Sequence, residues 1–288
     1  MTNQPQIRVR ALAKINLSLR VLELRRDGYH ELRTIFQSIA LHDTLLVRRA
    51  RGPLRIICND PDCPTDSANL ISRAALAIWK ASGRRGEPRD VVVRLEKRIP
   101  VAAGLGGGSS DAAAALRAFA RLWAVDRTRL PALAQALGAD VPYFLIGGTV
   151  LGLDRGDLLF RLIDYPAAWV TLVIPGFGVR TCDAYGWFDD DHAARRARRQ
   201  RRGLSIDLEN DLQPAVARRH PEISRIVAAL RKAGAAHAAM SGSGSAVFGL
   251  FDRETEAFDA AEVVTARRRR VIVTRTVDRG EYRRLAGK

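Results

Sequence analysis

The sequence predicts an α+β fold divided into two domains. Strand-like and helix-like stretches alternate along the chain without the regular spacing of βαβ units, and the chain begins with a mostly antiparallel group of strands. A segment at residues 154–165 reads as a junction between two such mixtures. We therefore expect one domain over residues 1–158 and a second over residues 159–288.

Strands dominate the first part of the chain, and a turn signal at Asp27-Gly28 joins two of them. Alternating or β-branched runs predict five strands, at Ile7–Leu12, Leu17–Leu22, Leu32–Ile39, Thr44–Val47 and Leu54–Cys58. Helical spacing of apolar residues then predicts a helix over Asn69–Lys80, which Asn69 can cap. Val91–Leu95 follows as a β-branched strand.

A glycine-rich loop, Pro100–Asp111, leads into an alanine-rich helix predicted over Ala112–Trp123. A further helix fits Leu130–Leu137 and ends at Gly138. Strand patterns then occur at Gly147–Leu153, Trp169–Ile174, Ala246–Phe251 and Val271–Val277, and helical patterns at Leu208–Arg218, Pro221–Lys232 and Glu254–Ala266.

The bulk composition is that of a globular enzyme, with 47% hydrophobic and 27% charged residues. No run of about 18 apolar residues occurs, so we expect no membrane span, and the polar first ten residues lead us to expect a cytoplasmic protein. Cys58, Cys63 and Cys182 are odd in number and form no CxxC pair, so we expect free thiols rather than a zinc site or disulfides. The sequence does not indicate an oligomeric state.

The net charge of +16 leaves open a basic nucleic-acid-binding protein. The basic residues cluster near residue 200, where Arg195, Arg196, Arg198, Arg199, Arg201 and Arg202 occur, and again at Arg267–Arg270. Neither run interleaves with aromatic residues, so a solvated surface loop is the favoured interpretation and nucleic acid is the disfavoured partner.

The strongest chemical signal is the run Gly104-Leu-Gly106-Gly107-Gly108-Ser109-Ser110 between a strand and a helix. Glycines let backbone amides approach a ligand closely, and the first turn of the helix offers unpaired N–H groups to an anion. The run lacks the lysine of a P-loop and the third glycine of a dinucleotide loop, and the HRD and DFG sequences of protein kinases are absent. A polyphosphate site is predicted, with Ser109 and Ser110 as candidate ligands of a phosphate oxygen or a metal ion.

Six sequence blocks in order resemble the GHMP kinases, and within them the subfamily whose substrate is a cytidine-diphosphate derivative of methylerythritol. The blocks are Ala13-Lys14-Ile15-Asn16-Leu17, Arg26-Asp27-Gly28-Tyr29-His30, Pro100–Ser110, Leu137-Gly138-Ala139-Asp140-Val141-Pro142, Glu209-Asn210-Asp211-Leu212 and Ser241-Gly242-Ser243-Gly244. Two places depart from the family pattern: the arginine-rich stretch at 195–202 and Asp154-Arg155-Gly156-Asp157, where relatives show a GxGE-like turn.

The resemblance implies an N-terminal domain like ribosomal protein S5, a smaller C-terminal α+β domain and an active site in the cleft between them. It implies a kinase that uses ATP and Mg²⁺ to phosphorylate the 2-hydroxyl of the methylerythritol unit. Homoserine, mevalonate and sugars are the alternative acceptors within the superfamily. A cytosine-binding loop at residues 26–30 has no purpose with any of them.

Asp140 is the candidate catalytic base, and Lys14 is its candidate charge partner. An ordinary N-cap for Asp140 and a surface position for Lys14 are the alternatives. Asn16 lies two residues after Lys14 on the same strand face and is a candidate substrate ligand.

The remaining candidates follow from the resemblance. Tyr29 and His30 are expected to bind cytosine, and Tyr185 to supply a second aromatic contact, although Trp187 and Phe188 lie close by. Ser241–Gly244 either closes over the phosphates or forms a tight turn. The expected ATP-binding residues are Asn69, Lys97 (through its backbone), Pro100, Val101, Ala102, Ala103, Gly104, Leu105, Gly106, Gly107, Gly108, Ser109 and Ser110.

Overall fold

The computed structural model describes residues 6–195 and 208–287. Within these ranges the chain forms two β-sheets, each with its own helices, so the predicted α+β class is confirmed. Most of the predicted arginine-rich loop, including Arg196, Arg198, Arg199, Arg201 and Arg202, lies outside the described residues.

Two long antiparallel strands form the centre of the first sheet: β1 (Ile7–Leu24) and β2 (His30–Pro53). The prediction of four short strands here was wrong, because β-bulges let polar residues such as Lys14 interrupt the alternation without ending the strand. The turn at Asp27-Gly28 is confirmed, with Gly28 at φ +81°. The next predicted strand is present as β3 (Arg55–Cys58).

The helices of the first domain pack on one face of this sheet. They are α1 (Leu70–Ala81), α2 (Gly107–Trp123), α3 (Leu130–Leu137) and the short α4 (Tyr143–Ile146), which the sequence analysis missed. Asn69 caps α1 as predicted, since its side chain accepts a hydrogen bond from the Ile71 amide. The predicted start of α2 at Ala112 was wrong: the helix begins at Gly107, so the second half of the glycine-rich loop is its first turn.

The first sheet is completed by β4 (Arg89–Glu96), β5 (Thr149–Asp154) and β6 (Leu158–Arg161), in the order β3-β4-β2-β5-β6 with β1 paired to β2. Strand β6 was not predicted, because the segment around it was interpreted as a junction. It pairs antiparallel with β5, so the first sheet continues to Arg161. The domain boundary at 158/159 stays a prediction.

The second sheet has the strand order β10-β7-β9-β8. Its strands are β7 (Trp169–Ile174), β8 (His237–Met240), β9 (Val247–Phe251) and β10 (Arg270–Arg275). Its helices are α5 (Thr181–Arg195), α6 (Gln213–Arg219), α7 (Glu222–Lys232), α8 (Glu254–Val264) and α9 (Arg279–Leu285). Helices α5 and α9 and strand β8 were missed, and the helix predicted over Leu208–Arg218 was wrong at its start, because Asn210 forms a β-bridge with Leu19.

A hydrophobic core joins the two sheets. Ile15 and Leu17 of β1 pack with Val170, Leu172 and Phe248 of the second sheet. Helix α9 then returns to the first domain, where the Tyr282 hydroxyl donates a hydrogen bond to the Phe144 carbonyl at 2.7 Å. No helix in the described ranges has the length and apolar character needed to cross a bilayer.

Candidate active site

A cleft of about 1030 Å³ lies between the two domains. The glycine-rich loop forms one wall, the β1–β2 hairpin loop and α5 form another, and the loop at 242–244 lies beside the first. Its lining includes the predicted catalytic residues Lys14 and Asp140 and every predicted ligand-binding residue except Ser110. Residues far apart in the sequence therefore meet in one place.

The glycine-rich loop turns sharply before α2. Gly104 and Gly106 have φ of +75° and +71°, in the left-handed region, and Gly106 is the N-cap of α2. A Cβ at Gly106 would lie 2.6 Å from Phe144 Cζ, and one at Gly104 would lie 2.2 Å from the Ser241 carbonyl oxygen. The loop is therefore packed too closely for side chains at either position, and it presents the N-terminus of α2 to the cleft, as an anion site requires.

Lys14 is buried, which excludes the surface position considered for it. Its Nζ donates hydrogen bonds to Asn16 Oδ1 at 2.6 Å and to the Gly104 carbonyl at 3.0 Å, and lies 3.9 Å from Asp140 Oδ2. Burial lowers the pKa of Lys14, and the charge of Asp140 opposes that shift. The ammonium group thus links β1, the glycine-rich loop and the candidate base.

Asp140 lies in the turn before α4, with its side chain 38% exposed to the cleft. The N-cap of α4 is Pro142, so the N-cap role considered for Asp140 does not apply. A partly solvated carboxylate beside a buried cation is suited to accept a proton from a bound alcohol.

The local shape of β1 brings Lys14 and Asn16 to this position. Register shifts lie on both sides of them, between Leu12 and Lys14 and between Asn16 and Ser18. Asn16 Nδ2 donates to Thr34 Oγ1 at 2.7 Å, so the side chain that orients Lys14 is itself held by β2. The 2.6 Å contact between their side chains confirms that Lys14 and Asn16 share a face of the strand.

Aromatic rings form another part of the cleft wall. His30 stacks on Tyr185, with ring centroids 5.3 Å apart, and its Nε2 lies 2.8 Å from Asp189 Oδ1. Tyr29 is 59% exposed beside them. Among the three aromatic residues of α5, Tyr185 is the one that lines the cleft, whereas Phe188 is buried in the hydrophobic core between the second sheet and its helices. A flat, partly apolar group fits against these rings.

The predicted nucleotide contacts are largely engaged with the protein. The Lys97 amide donates to Asn59 Oδ1 at 2.6 Å, and the Lys97 carbonyl accepts from Asn59 Nδ2 at 3.3 Å. Asn69 caps α1 and donates to the Pro64 carbonyl at 2.6 Å. Both residues line the cleft, so they shape this end of it, but their expected hydrogen bonds to ATP stay a prediction.

The prediction that the Ser110 hydroxyl binds a phosphate or a metal is not supported by the structure. Ser110 is fully buried, does not line the cleft and donates a hydrogen bond to the Leu12 carbonyl at 2.7 Å. Ser109 lines the cleft and stays the candidate. The two serines face different surroundings because successive helical residues are rotated by about 100° around the helix axis.

Sequence reasoning missed a buried charge cluster under the loop. Lys97 Nζ is paired with Asp43 and lies 2.9 Å from Asp111 Oδ2, and all three side chains are at most 5% exposed. Asp43 Oδ1 also accepts from the amides of Arg98 and Ile99, so the cluster fixes the backbone that enters the glycine-rich loop. Burial raises the pKa of Asp111 to about 8, with Lys97 opposing and Asp43 adding to the shift. The sequence signal that could have revealed this cluster is an acidic residue, Asp111, directly after Ser109 and Ser110 of the glycine-rich loop.

The loop Ser241–Gly244 packs against the glycine-rich loop and also borders the cleft. Ser241 Oγ donates to the Gly104 carbonyl at 3.0 Å, and Gly242, Ser243 and Gly244 are lining residues. Asn210 Nδ2 donates to the Met240 and Gly242 carbonyls, both at 2.8 Å. These two hydrogen bonds give the block around Asn210 a role that the sequence did not reveal, because they hold the loop Ser241–Gly244 in place.

Mg²⁺ was predicted with ATP, and the site can accommodate it. Within residues 6–195 and 208–287 no group of three His, Cys, Asp or Glu side chains could hold a metal ion. Mg²⁺ needs no such group where substrate phosphates and water supply most of its oxygen ligands. The Ser109 hydroxyl at the start of α2 and the Asp111 carboxylate, whose Oδ1 has no hydrogen-bond partner among the described residues, are the nearby oxygens.

Comparisons with known sequences match both halves of the chain to one family. The model for the N-terminal domain of the GHMP kinases matches residues 69–148, and the model for their C-terminal domain matches residues 190–269. The 4-diphosphocytidyl-2-C-methyl-D-erythritol kinase of Pelotomaculum thermopropionicum is 42% identical over 92% of this chain and 96% of its own length. The enzyme of the same name from Moorella thermoacetica is 42% identical over 90% of this chain and 91% of its own length.

Solved structures show the same similarity. A 4-(cytidine 5'-diphospho)-2C-methyl-D-erythritol kinase superposes with a TM-score of 0.77 at 35% identity, over 94% of this chain and 99% of that one. A homoserine kinase from Cytophaga hutchinsonii has a TM-score of 0.69 at 19% identity, over 96% of each chain. The second likeness supports the fold alone.

Proposed function

The chain belongs to the GHMP kinase family, and we propose that it transfers the γ-phosphoryl group of ATP to the 2-hydroxyl of 4-diphosphocytidyl-2-C-methyl-D-erythritol. As a GHMP kinase it is an ATP-dependent small-molecule kinase. The observation that carries the proposal is the contact of Lys14 with Asp140 beside the glycine-rich N-terminus of α2, in one cleft with the rings of Tyr29, His30 and Tyr185. The similar enzymes act on a cytidylated alcohol, and these rings suit a cytosine.

The donor side of the proposed reaction lies at the glycine-rich loop. The amides at the start of α2 and the helix dipole would bind the phosphates of ATP, and Ser109 would help to hold Mg²⁺ there. When bound, Mg²⁺ neutralises part of the charge on the transferring phosphoryl group. The close packing of Gly104 and Gly106 keeps the loop in one conformation before ligands arrive.

The acceptor side ends at Asp140. Its carboxylate receives the proton of the 2-hydroxyl as the oxygen attacks phosphorus, which leaves neutral Asp140, ADP and the phosphorylated alcohol. Lys14, held by Asn16 and the Gly104 carbonyl, lies beside Asp140 and stabilises negative charge on the oxygens of the phosphoryl group. Tyr29, His30 and Tyr185 hold the cytosine.

His30 is prepared for reading a base edge. Asp189 fixes one ring nitrogen at 2.8 Å, so the tautomer of the imidazole is set by that contact. Stacking on Tyr185 holds the ring plane. Homoserine, mevalonate and simple sugars have no flat ring that could lie against His30 and Tyr185. The residues that line the cleft therefore favour the cytidylated acceptor. We place the reaction in the cytoplasm.

A coupled assay of ADP release with a panel of alcohols tests the proposal. We expect turnover with the cytidylated methylerythritol and little with homoserine, mevalonate or galactose at equal concentration. Equal rates with cytidine-, uridine- and adenosine-diphospho analogues would remove the cytosine assignment. Turnover with homoserine or mevalonate alone would replace the proposed acceptor.

A further inference from the structure

Arg155 lies at the turn between β5 and β6, where the sequence departs from the family pattern. Its neighbours Asp154 and Gly156 have φ of +61° and +89°, and the Gly156 amide donates to the Leu153 carbonyl at 2.9 Å, so the turn is tight. Both Arg155 and Gly156 line the cleft. The turn therefore presents an arginine side chain to the acceptor end of the site.

The guanidinium group of Arg155 is held on two sides. Its Nη2 lies 2.8 Å from Oδ2 of Asp157, whose side chain is 4% exposed, and its central carbon lies 5.7 Å from the centre of the Tyr29 ring. The hairpin loop that carries Tyr29 is tied to the same turn by an ion pair between Arg25 and Asp154. Arg155 thus has a defined position next to the ring expected to meet cytosine.

The charged side chains at the acceptor end of the cleft indicate what Arg155 can bind. The exposed acids there are Asp140 and Asp189. Lys14 is committed to the candidate base, and Arg180 forms two hydrogen bonds with Asp183 and is 79% exposed. Among the described residues Arg155 forms its ion pair with Asp157 and also feels the charge of Asp27; its side chain is 37% exposed and lines the cleft. The planar fork of arginine matches the oxygens of a phosphate.

We propose that Arg155 binds the diphosphate of the acceptor and thereby selects cytidine diphosphate derivatives over uncharged cytidine compounds. The inference rests on the proposed function, since it assumes a cytidine-diphosphate acceptor. Asp157 anchors the guanidinium group, and the Tyr29 ring lies beside it. Arg155 contacts the substrate without touching the reacting oxygen, so it determines affinity and specificity rather than the rate of phosphoryl transfer.

Binding of CDP and of cytidine, measured by calorimetry in saturating ADP, tests this role without relying on turnover. Arg155→Gln removes the charge and shortens the side chain, but keeps its aliphatic start and a polar amide. We expect the affinity for CDP to fall about 10- to 100-fold and the affinity for cytidine to change less than about 2-fold. Arg161→Gln is the matched control, because Arg161 is exposed on the adjacent strand and does not line the cleft.

Each other outcome is decisive. Equal losses for CDP and cytidine would show that Arg155 acts only through Tyr29, and unchanged affinity for both ligands would show that it has no role; either result overturns the inference while the proposed function stands. A wild-type protein that binds neither ligand would remove the proposed acceptor, and this inference with it. Thermal unfolding of Arg155→Gln checks that the turn remains folded.

Discussion

Replacing Lys14 with methionine removes the charge at the centre of the cleft and keeps a side chain of similar length. The Nζ atom lies 3.9 Å from Asp140 Oδ2. At that separation two unit charges interact by about 4 kcal/mol at an effective dielectric constant of 20, and by about 1 kcal/mol in bulk water. Because the Asp140 side chain is 38% exposed, the interaction lies between these limits.

We therefore expect Lys14→Met to lower kcat/KM for the acceptor by roughly 5- to 1000-fold, since about 1.4 kcal/mol corresponds to a factor of ten. Most of the loss should appear in kcat, because the ammonium group stabilises charge that develops on the phosphoryl oxygens. Steady-state rates at saturating ATP measure both constants. Asn16 Oδ1 loses a partner in this variant, so thermal unfolding must confirm that the protein is folded.

A double-mutant cycle with Asp140→Asn tests whether Lys14 and Asp140 act together in catalysis. Asp140→Asn keeps the shape of the side chain but cannot take up a proton, and it should lower kcat by about 10²- to 10⁴-fold. The double variant should be little slower than the slower single variant. Losses that multiply, or a folded Lys14→Met enzyme with near-normal kcat, would refute the pairing.

Three further predictions follow from the same geometry. Burial lowers the pKa of Lys14 from 10.5, and the charge of Asp140 opposes that shift. Activity that needs the protonated lysine should therefore be lost, as the pH rises, at a pH lower than 10.5. In Asp140→Asn the opposing charge is gone, so this loss should occur at a still lower pH. A loss at an unchanged pH would assign it to another group. His30→Ala should raise KM for the cytidylated substrate by about 5- to 150-fold, equivalent to about 1–3 kcal/mol, and leave KM for ATP unchanged; equal effects on both would disprove base reading. Gly107→Val places a Cβ 3.1 Å from a side-chain carbon of Ile99 beside the phosphate site and should weaken ATP binding at least about 10-fold by calorimetry. Gly108→Ala, whose Cβ would lie 3.9 Å from its nearest neighbour, is the milder comparison, and unchanged affinity in a folded Gly107→Val protein would move the nucleotide site elsewhere.

The sequence predicted the parts of the fold that local chemistry determines. Asn69 caps α1, Gly138 ends α3 and Gly28 forms the hairpin turn, each by a mechanism that acts within a few residues. The start of α2 was harder to predict, because Gly107 and Gly108 are poor helix formers and the helix is held there by tertiary packing.

Helix α5 was missed for a related reason. It contains Gly186 and three consecutive aspartates, which disfavour a helix, and it is stabilised by the burial of Ala184 and Phe188 in the core between the second sheet and its helices. Missing α5 also hid the contact of Asp189 with His30, which joins residues 159 positions apart. Contacts of this range leave no local signal in a single sequence.

In the candidate site too, the residues of local motifs could be predicted and the long-range contacts could not. Lys14, Asp140 and the glycine-rich loop could be predicted because their motifs are contiguous, and the structure places them in contact. The pairing of Lys97 with Asp43 and Asp111 could not, since it joins three separate elements. Ser110 was assigned to the ligand because adjacent serines look alike in sequence, whereas the helix turns one of them into the core.

The most direct test of the central claim is the identity of the product. The protein is incubated with ATP, Mg²⁺ and 4-diphosphocytidyl-2-C-methyl-D-erythritol, and the acceptor is analysed by mass spectrometry and phosphorus NMR. We predict one added phosphoryl group, on the 2-hydroxyl, formed by the wild-type protein and about 10²- to 10⁴-fold more slowly by Asp140→Asn. A phosphoryl group on another hydroxyl, ADP formation without a phosphorylated acceptor, or an equal rate with Asp140→Asn would contradict the assignment of this cleft.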